Sequence, residues 1–193
     1  MTDESNGYDS IAEAYIKGRG RAVNGIGAST ALTWAQTFAE GSVILDLGCG
    51  TGIPVTKILI DAGLNAYAID ASPKMVEAFR QHFPNVPVAC ESVERSRFFD
   101  RRFDGIISVG LMFLLSEDVQ RALIPKMAAA LNPGGRLLFT APFDVVEWND
   151  VMTDKPSRSL GAARYRALML TSGLSITDEL RDEGGNHYFS GSR

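Results

Sequence analysis

The amino-acid sequence predicts a doubly wound α/β fold, and three observations carry that expectation. Apolar runs of strand length alternate with helical stretches in the order β-α-β-α-β-β-α-β-α-β-β behind leading helices, the pattern of a largely parallel sheet covered on both faces. The first run, Val43 to Leu47, stops at a glycine-spaced bend, Gly48-Cys49-Gly50-Thr51-Gly52. The next, Ala66 to Ile69, stops at Asp70 after one intervening helix.

The first forty residues read as two helices. Ile11, Ala14 and Tyr15 share one face of the first, a glycine-rich break follows at Gly18 to Gly20 and Gly25 to Gly27, and Ser29 or Thr30 can cap a second helix from Ala31 to Phe38. Gly41 ends it before strand one. After the bend, Val55, Ile58, Leu59 and Ala62 recur at the spacing of one buried helix face, with Pro54 in the first turn and Gly63 at the stop. Ser72-Pro73 starts the next helix, whose buried stripe is Met75, Phe79 and Phe83 before Pro84. Val86 to Cys90 is a short strand that tolerates Pro87 at a sheet edge. Phe103 to Val109 is strand four, and a helix from Ser116 to Leu131 should kink at Pro125. Asn132 to Gly135 is a turn and Arg136 to Thr140 strand five. A long loop then runs from Ala141 to about Ser157, a helix from Leu160 to Ser172, and a hairpin pairs Leu174–Arg181 with His187–Ser190 around Glu183 to Asn186.

The chemistry concentrates at the first bend. Without Cβ atoms at Gly48, Gly50 and Gly52 the backbone can adopt left-handed torsions and lie directly against a ligand. Consecutive parallel strands end on the same sheet edge, so Asp70 falls beside that bend, where a carboxylate can accept both hydroxyl hydrogens of a ribose. A dinucleotide-binding bend would carry a third glycine three positions after Gly50, and that position is Ile53.

Bulk properties narrow the field. A chain of 193 residues, 45% hydrophobic and 22% charged, suits one domain of ordinary size. A net charge of −4 argues against a nucleic-acid partner, whose phosphates require a basic face, and the cluster Arg95, Arg97, Arg101 and Arg102 reads as a solvated rim. No apolar run approaches the roughly 20 residues of a membrane span, and the polar start lacks a signal-peptide pattern, so a cytoplasmic protein is expected. Cys49 and Cys90 have no metal-ligand spacing, and no metal is expected.

The stretches Tyr8 to Tyr15, Asp46 to Gly52, Ala68 to Met75, Phe103 to Ile107 and Leu131 to Leu137, in this order and spacing, resemble the class I S-adenosylmethionine-dependent methyltransferases, in particular short bacterial enzymes acting on small molecules. The resemblance implies a seven-stranded sheet of order 3-2-1-4-5-7-6 with the last strand antiparallel, residues 1–40 as a helical lid and residues 41–193 as the core. It further implies that Asp46, Gly48, Gly50 and Gly52 line the methionine part of S-adenosylmethionine, Asp70 the ribose, and Ala71 and Met75 the adenine ring. Glu91, Ser92 and Val93 would meet the adenine edge, Ser108 would face the glycine bend, and Tyr15 and Arg19 of the lid would cover the donor.

His187, beside Tyr188, is the leading candidate for a general base, because histidine titrates near neutrality; Asp144 and Glu147 stand in reserve in the loop expected to roof the acceptor. The expected function is methyl transfer to oxygen, nitrogen or another nucleophile of a small metabolite. A binding protein that holds the donor without turnover, or a partner subunit, is the alternative, and a nucleotide-dependent oxidoreductase a further one.

Overall fold

A computed structural model describes residues 4–18 and 24–193. Its elements are α1 (Tyr8–Lys17), α2 (Ala28–Ala35), β1 (Val43–Leu47), α3 (Val55–Asp61), β2 (Asn65–Asp70), α4 (Pro73–His82), β3 (Val88–Cys90), β4 (Phe103–Ser108), α5 (Glu117–Ala130), β5 (Leu131–Thr140), β6 (Val145–Asn149), β7 (Pro156–Leu160), α6 (Ala162–Thr171), β8 (Ser175–Arg181) and β9 (His187–Ser192).

Seven strands form one sheet of order β3-β2-β1-β4-β5-β9-β8. The first five are parallel, and β9 runs antiparallel to both β5 and β8. Numbered without the separate β6–β7 hairpin, this is the 3-2-1-4-5-7-6 order anticipated above, with the last strand reversed. The central strands are buried on both faces, as a sheet covered by helices on either side requires. One face packs Leu45, Leu47, Ile106 and Phe139 against α5 and α6, and the other packs Ile44, Ile107 and Leu138 against α2 and α3. Gly105 of β4 lets α2 approach closely: a Cβ there would lie 2.6 Å from Phe38 and 2.8 Å from Trp34.

Several boundaries differ from the expectation. Strand β5 begins at Leu131, because Asn132 to Gly135 forms an irregularity within the β4–β5 pairing; Asp104 sits against it, accepting from the Asn132 amide at 2.8 Å and the Val43 N–H at 2.8 Å. Helix α5 continues past Pro125, which lies on its exposed side. The expected loop after β5 contains the β6–β7 hairpin, and Leu160 ends β7, so α6 starts at Ala162. Exposure explains why the hairpin escapes sequence reading: β6 has no buried residue and therefore no apolar alternation. No helix among the described residues is long and apolar enough to cross a membrane.

Candidate functional site

Strands β1, β2 and β4 end on one edge, and a cavity of about 530 Å³ opens there, within the roughly 300–1,000 Å³ typical of small-molecule sites. Its inner wall is Gly48, Gly50, Ile69, Asp70, Ala71 and Met75, followed by Glu91 to Arg95 beyond β3. Gly110, Leu111 and Phe113 after β4 form a second wall. The roof is Tyr8 and Tyr15 from α1 with Asp150, Val151 and Met152 from the tip of the β6–β7 hairpin.

The glycine bend folds back on β2. Gly48 and Cys49 N–H groups both donate to the Ile69 carbonyl at 2.8 and 3.1 Å, Gly52 N–H donates to Cys49 at 2.8 Å, and Gly50 N–H donates to the Asp70 carboxylate at 2.8 Å. The other Asp70 oxygen accepts the Ser72 N–H at 2.8 Å. Asp70 is thus aimed by its own backbone neighbours; burial raises its pKa, and these two bonds oppose the rise. Behind the bend, Asp46 is 1% exposed and takes a 2.6 Å hydrogen bond from Thr56 Oγ1. Burial lifts its carboxyl from 3.8 to about 7, partly offset by Thr56 and reinforced by the Asp70 charge.

Gly50, Gly110 and Gly52 differ in what they make room for. At Gly50 (φ +54°) and Gly110 (φ +78°) an added Cβ would meet nothing within 4 Å, and both residues line the cavity: side chains there would fill the cradle. A Cβ at Gly52 would instead collide with Phe83 and Phe79, so this glycine serves the packing of α4. It does not line the cavity, and neither do Asp46 or Ser108, whose buried hydroxyl has no hydrogen-bond partner among the described residues.

Lid and hairpin are tied to the core and to each other. Asp9 of α1 accepts from Ser72 Oγ at 2.7 Å and from Lys74 N–H at 3.0 Å, while Ser72 Oγ in turn caps α4 at Met75 N–H. Glu4 pairs with Arg95 across the cavity rim. Tyr8 OH donates to Asp150 at 3.4 Å, joining α1 to the hairpin. At the hairpin's base Tyr165 OH donates to Gln120 at 2.6 Å and accepts the Leu160 N–H at 3.1 Å, and the Gln120 amide donates to the carbonyls of Leu115 and Arg158.

The structure therefore gathers Tyr15, Gly48, Gly50, Asp70, Ala71, Met75, Glu91, Ser92 and Val93 around one cavity. Arg19 lies outside the described residues. His187 and Tyr188 are elsewhere. His187 Nε2 sits 3.0 Å from Glu179, and its ring packs edge-on to Phe143 and Phe189. Tyr188 lies beneath the start of α2 with its OH donating to Asp182 at 3.0 Å; burial and that acid push its pKa well up. Asp144 is exposed, and Glu147 faces Arg158 on the outside of the hairpin. The loop expected to roof the acceptor reaches the cavity through Asp150 at its end, a residue not singled out as a candidate base, and the stretch after β4 extends along the cavity past Leu111 to Phe113.

Residues 44–135 match the family described as a methyltransferase domain. An N-terminal methyltransferase of cypemycin from a Streptomyces species is 31% identical over 176 residues, covering 89% of this chain and 70% of that protein. The chain belongs to the class I S-adenosylmethionine-dependent methyltransferases. An uncharacterised methyltransferase of Mycobacterium tuberculosis is 32% identical over 135 residues, covering 70% of this chain and 51% of that protein, so the chain spans about half the length of such relatives. Magnesium protoporphyrin IX methyltransferase from Synechocystis, solved with bound S-adenosylmethionine, shares the fold with a TM-score of 0.72 at 17% identity over 100% of this chain and 98% of its own. Proteins named as a probable tRNA methyltransferase, from Bos taurus, and as a tRNA U34 carboxymethyltransferase, from Campylobacter curvus, also match over about half of this chain.

S-adenosylmethionine, the donor of this family, carries a methyl group on a positively charged sulfur. The residues present fit it: Gly50 and Gly110 leave open space in the cavity, and the Asp70 carboxylate, able to accept hydroxyl hydrogens, lines the same cavity at the sheet edge. Among the described residues the cavity lining holds five carboxylates (Glu4, Asp70, Glu91, Glu94, Asp150) against one guanidinium, Arg95, an electrostatic match to a cation.

Proposed function

We propose that this chain transfers the methyl group of S-adenosylmethionine to an oxygen, nitrogen or other nucleophile of a small molecule, with residues 1–40 as a lid on a core of 41–193. The observation that carries this reading is the single cavity in which the side-chain-free bend at Gly50 faces the Asp70 carboxylate. In this reading Gly48 and Gly50 hold the donor's amino-acid end with Asp46 behind them, Asp70 the ribose, Ala71 and Met75 the adenine faces, and Glu91 to Val93 its edge. Tyr15 closes over the donor. The chain's task is alignment and exclusion of water, for which positioning alone supplies about 7–11 kcal/mol.

The hydrogen bonding of the bend supports this over a nicotinamide-dependent oxidoreductase. The N–H groups of Gly48, Cys49, Gly50 and Gly52 are all engaged within the protein, whereas a pyrophosphate cradle needs such groups directed outward. The excess of acid in the cavity and the dispersal of the arginine cluster favour a small acceptor over an RNA. Arg95 pairs with Glu4, Arg97 with Asp100 at 2.8 Å, Arg101 stacks 4.4 Å over Tyr67, and Arg102 donates to the Leu131 carbonyl. Thermal unfolding with S-adenosylhomocysteine or NADH tests the donor assignment, with stabilisation expected for the first alone; stabilisation by NADH alone would reverse it. Incubation with labelled donor and a metabolite extract then separates an enzyme, which transfers label, from a binding protein, which does not.

A further inference from the structure

The roof of the cavity carries a further chemical feature besides those assigned to the donor. Asp150 is 7% exposed. One of its oxygens accepts the N–H groups of Met152 and Thr153, each at 2.9 Å, and the Thr153 hydroxyl at 3.2 Å; the other faces the Tyr8 hydroxyl at 3.4 Å. All of these donors are neutral, and no cation pairs with Asp150 among the described residues. Glu4, the other acid of the outer cavity, already has Arg95. The cavity that Asp150 lines also has aromatic and apolar walls: Tyr8, which touches Asp150, meets Tyr15 edge to face at 5.8 Å, and Phe113, Val151 and Met152 line the same space.

A buried carboxylate held by neutral donors in a cavity lined with aromatic rings is a site for a cation, because the faces of such rings are negative and the carboxylate has no counter-charge among the described residues. Resting on the methyltransferase reading above, we propose that the methyl acceptor is a primary or secondary amine on an apolar body, bound at its nitrogen by Asp150. The bound ammonium first releases one proton to water, and the resulting neutral amine uses its lone pair to form the N–C bond as the S–C bond breaks and its electron pair stays on sulfur. Positive charge thereby passes from sulfur to nitrogen beside the carboxylate, and one N–H proton of the product ammonium is then released to water. A carboxylate acceptor would be repelled by Asp150, and an alcohol would develop far less charge for it to stabilise.

The test uses the full chain with labelled S-adenosylmethionine and three matched probes: phenethylamine, 2-phenylethanol and phenylacetate. Amine methylation is expected to exceed that of the other two. The substitution Asp150→Asn keeps an oxygen for the Met152 and Thr153 N–H groups while removing the charge. It should lower kcat/KM for the amine by about thirtyfold or more, the scale of breaking a buried charge pair, with donor affinity by dialysis unchanged. Thr153→Ala disturbs the same turn but leaves the charge, and should preserve the amine preference. Normal donor uptake without preference for the amine, absence of turnover included, overturns the proposal, as does undiminished amine turnover in Asp150→Asn. Absence of donor uptake overturns the underlying reading, and this one with it.

Discussion

Asp46 ties the glycine bend to the pH dependence of the molecule. Its carboxyl ionises near pH 7 when folded and near 3.8 when unfolded, so between those values the folded state holds a proton that the unfolded chain has released. Stability contributed by this group therefore falls as pH rises from about 4 to 7 and levels off above, by something on the order of 4 kcal/mol. Asp46→Asn retains an acceptor for Thr56 and removes the slope; urea unfolding should find its advantage over the parent protein larger at pH 8 than at pH 5. Gly50 and Gly52 give a contrasting pair. Gly52→Ala, at φ +80° with Phe83 only 2.4 Å from the new Cβ, should lose roughly 2–4 kcal/mol of stability. Gly50→Ala should cost only about 1–2 kcal/mol of stability, the strain of a left-handed alanine, yet weaken donor binding by tenfold or more because its methyl enters the cavity. Calorimetry and dialysis on both variants distinguish the two roles. The sequence marks both positions as bare; which emptiness faces a ligand and which faces a phenylalanine depends on where α4 packs.

At the level of elements, the site is made by two pieces of unequal legibility. The strand–bend–helix–strand unit from β1 to β2 is readable directly, since a period-3.6 apolar stripe between two apolar runs admits few other structures and brings Asp70 beside Gly50. The β6–β7 hairpin is not readable: β6 is exposed, the buried residues of β7 are the serines Ser157 and Ser159, and the turn is built by the Asp150 carboxylate accepting N–H groups, without glycine. What holds it is the buried Tyr165–Gln120 pair, two residues 45 positions apart. Tyr165→Phe leaves the Leu160 N–H and the Gln120 side chain short of a partner inside the protein. A loss of about 1–3 kcal/mol in global stability is expected, with faster hydrogen exchange in β6 and β7 than in β1 or β4. Equal acceleration throughout the sheet would count against a local anchor.

Across the whole molecule, lid, hairpin and sheet edge enclose one acidic cavity, so occupancy by the donor should be felt as global stabilisation. S-adenosylhomocysteine at a hundredfold excess over its Kd contributes about 2.7 kcal/mol, which for a chain of this length raises Tm by roughly 5–10 °C in a scanning-calorimetry experiment. The effect should shrink in Gly50→Ala and persist in Asp150→Asn, because the first touches the proposed donor space and the second the proposed acceptor space.

The sequence by itself determined the α/β class, the glycine bend after β1, the acid after β2 and the edge position of β3, because each rests on local periodicity or on a backbone torsion that only certain residues adopt. The tertiary structure decided the placement of His187 against Glu179, the burial of Tyr188 beneath α2, and the arrival of Asp150 over the cavity. Those outcomes turn on contacts between residues distant in the chain, and a side chain's neighbours across a folded sheet leave no trace in its immediate sequence.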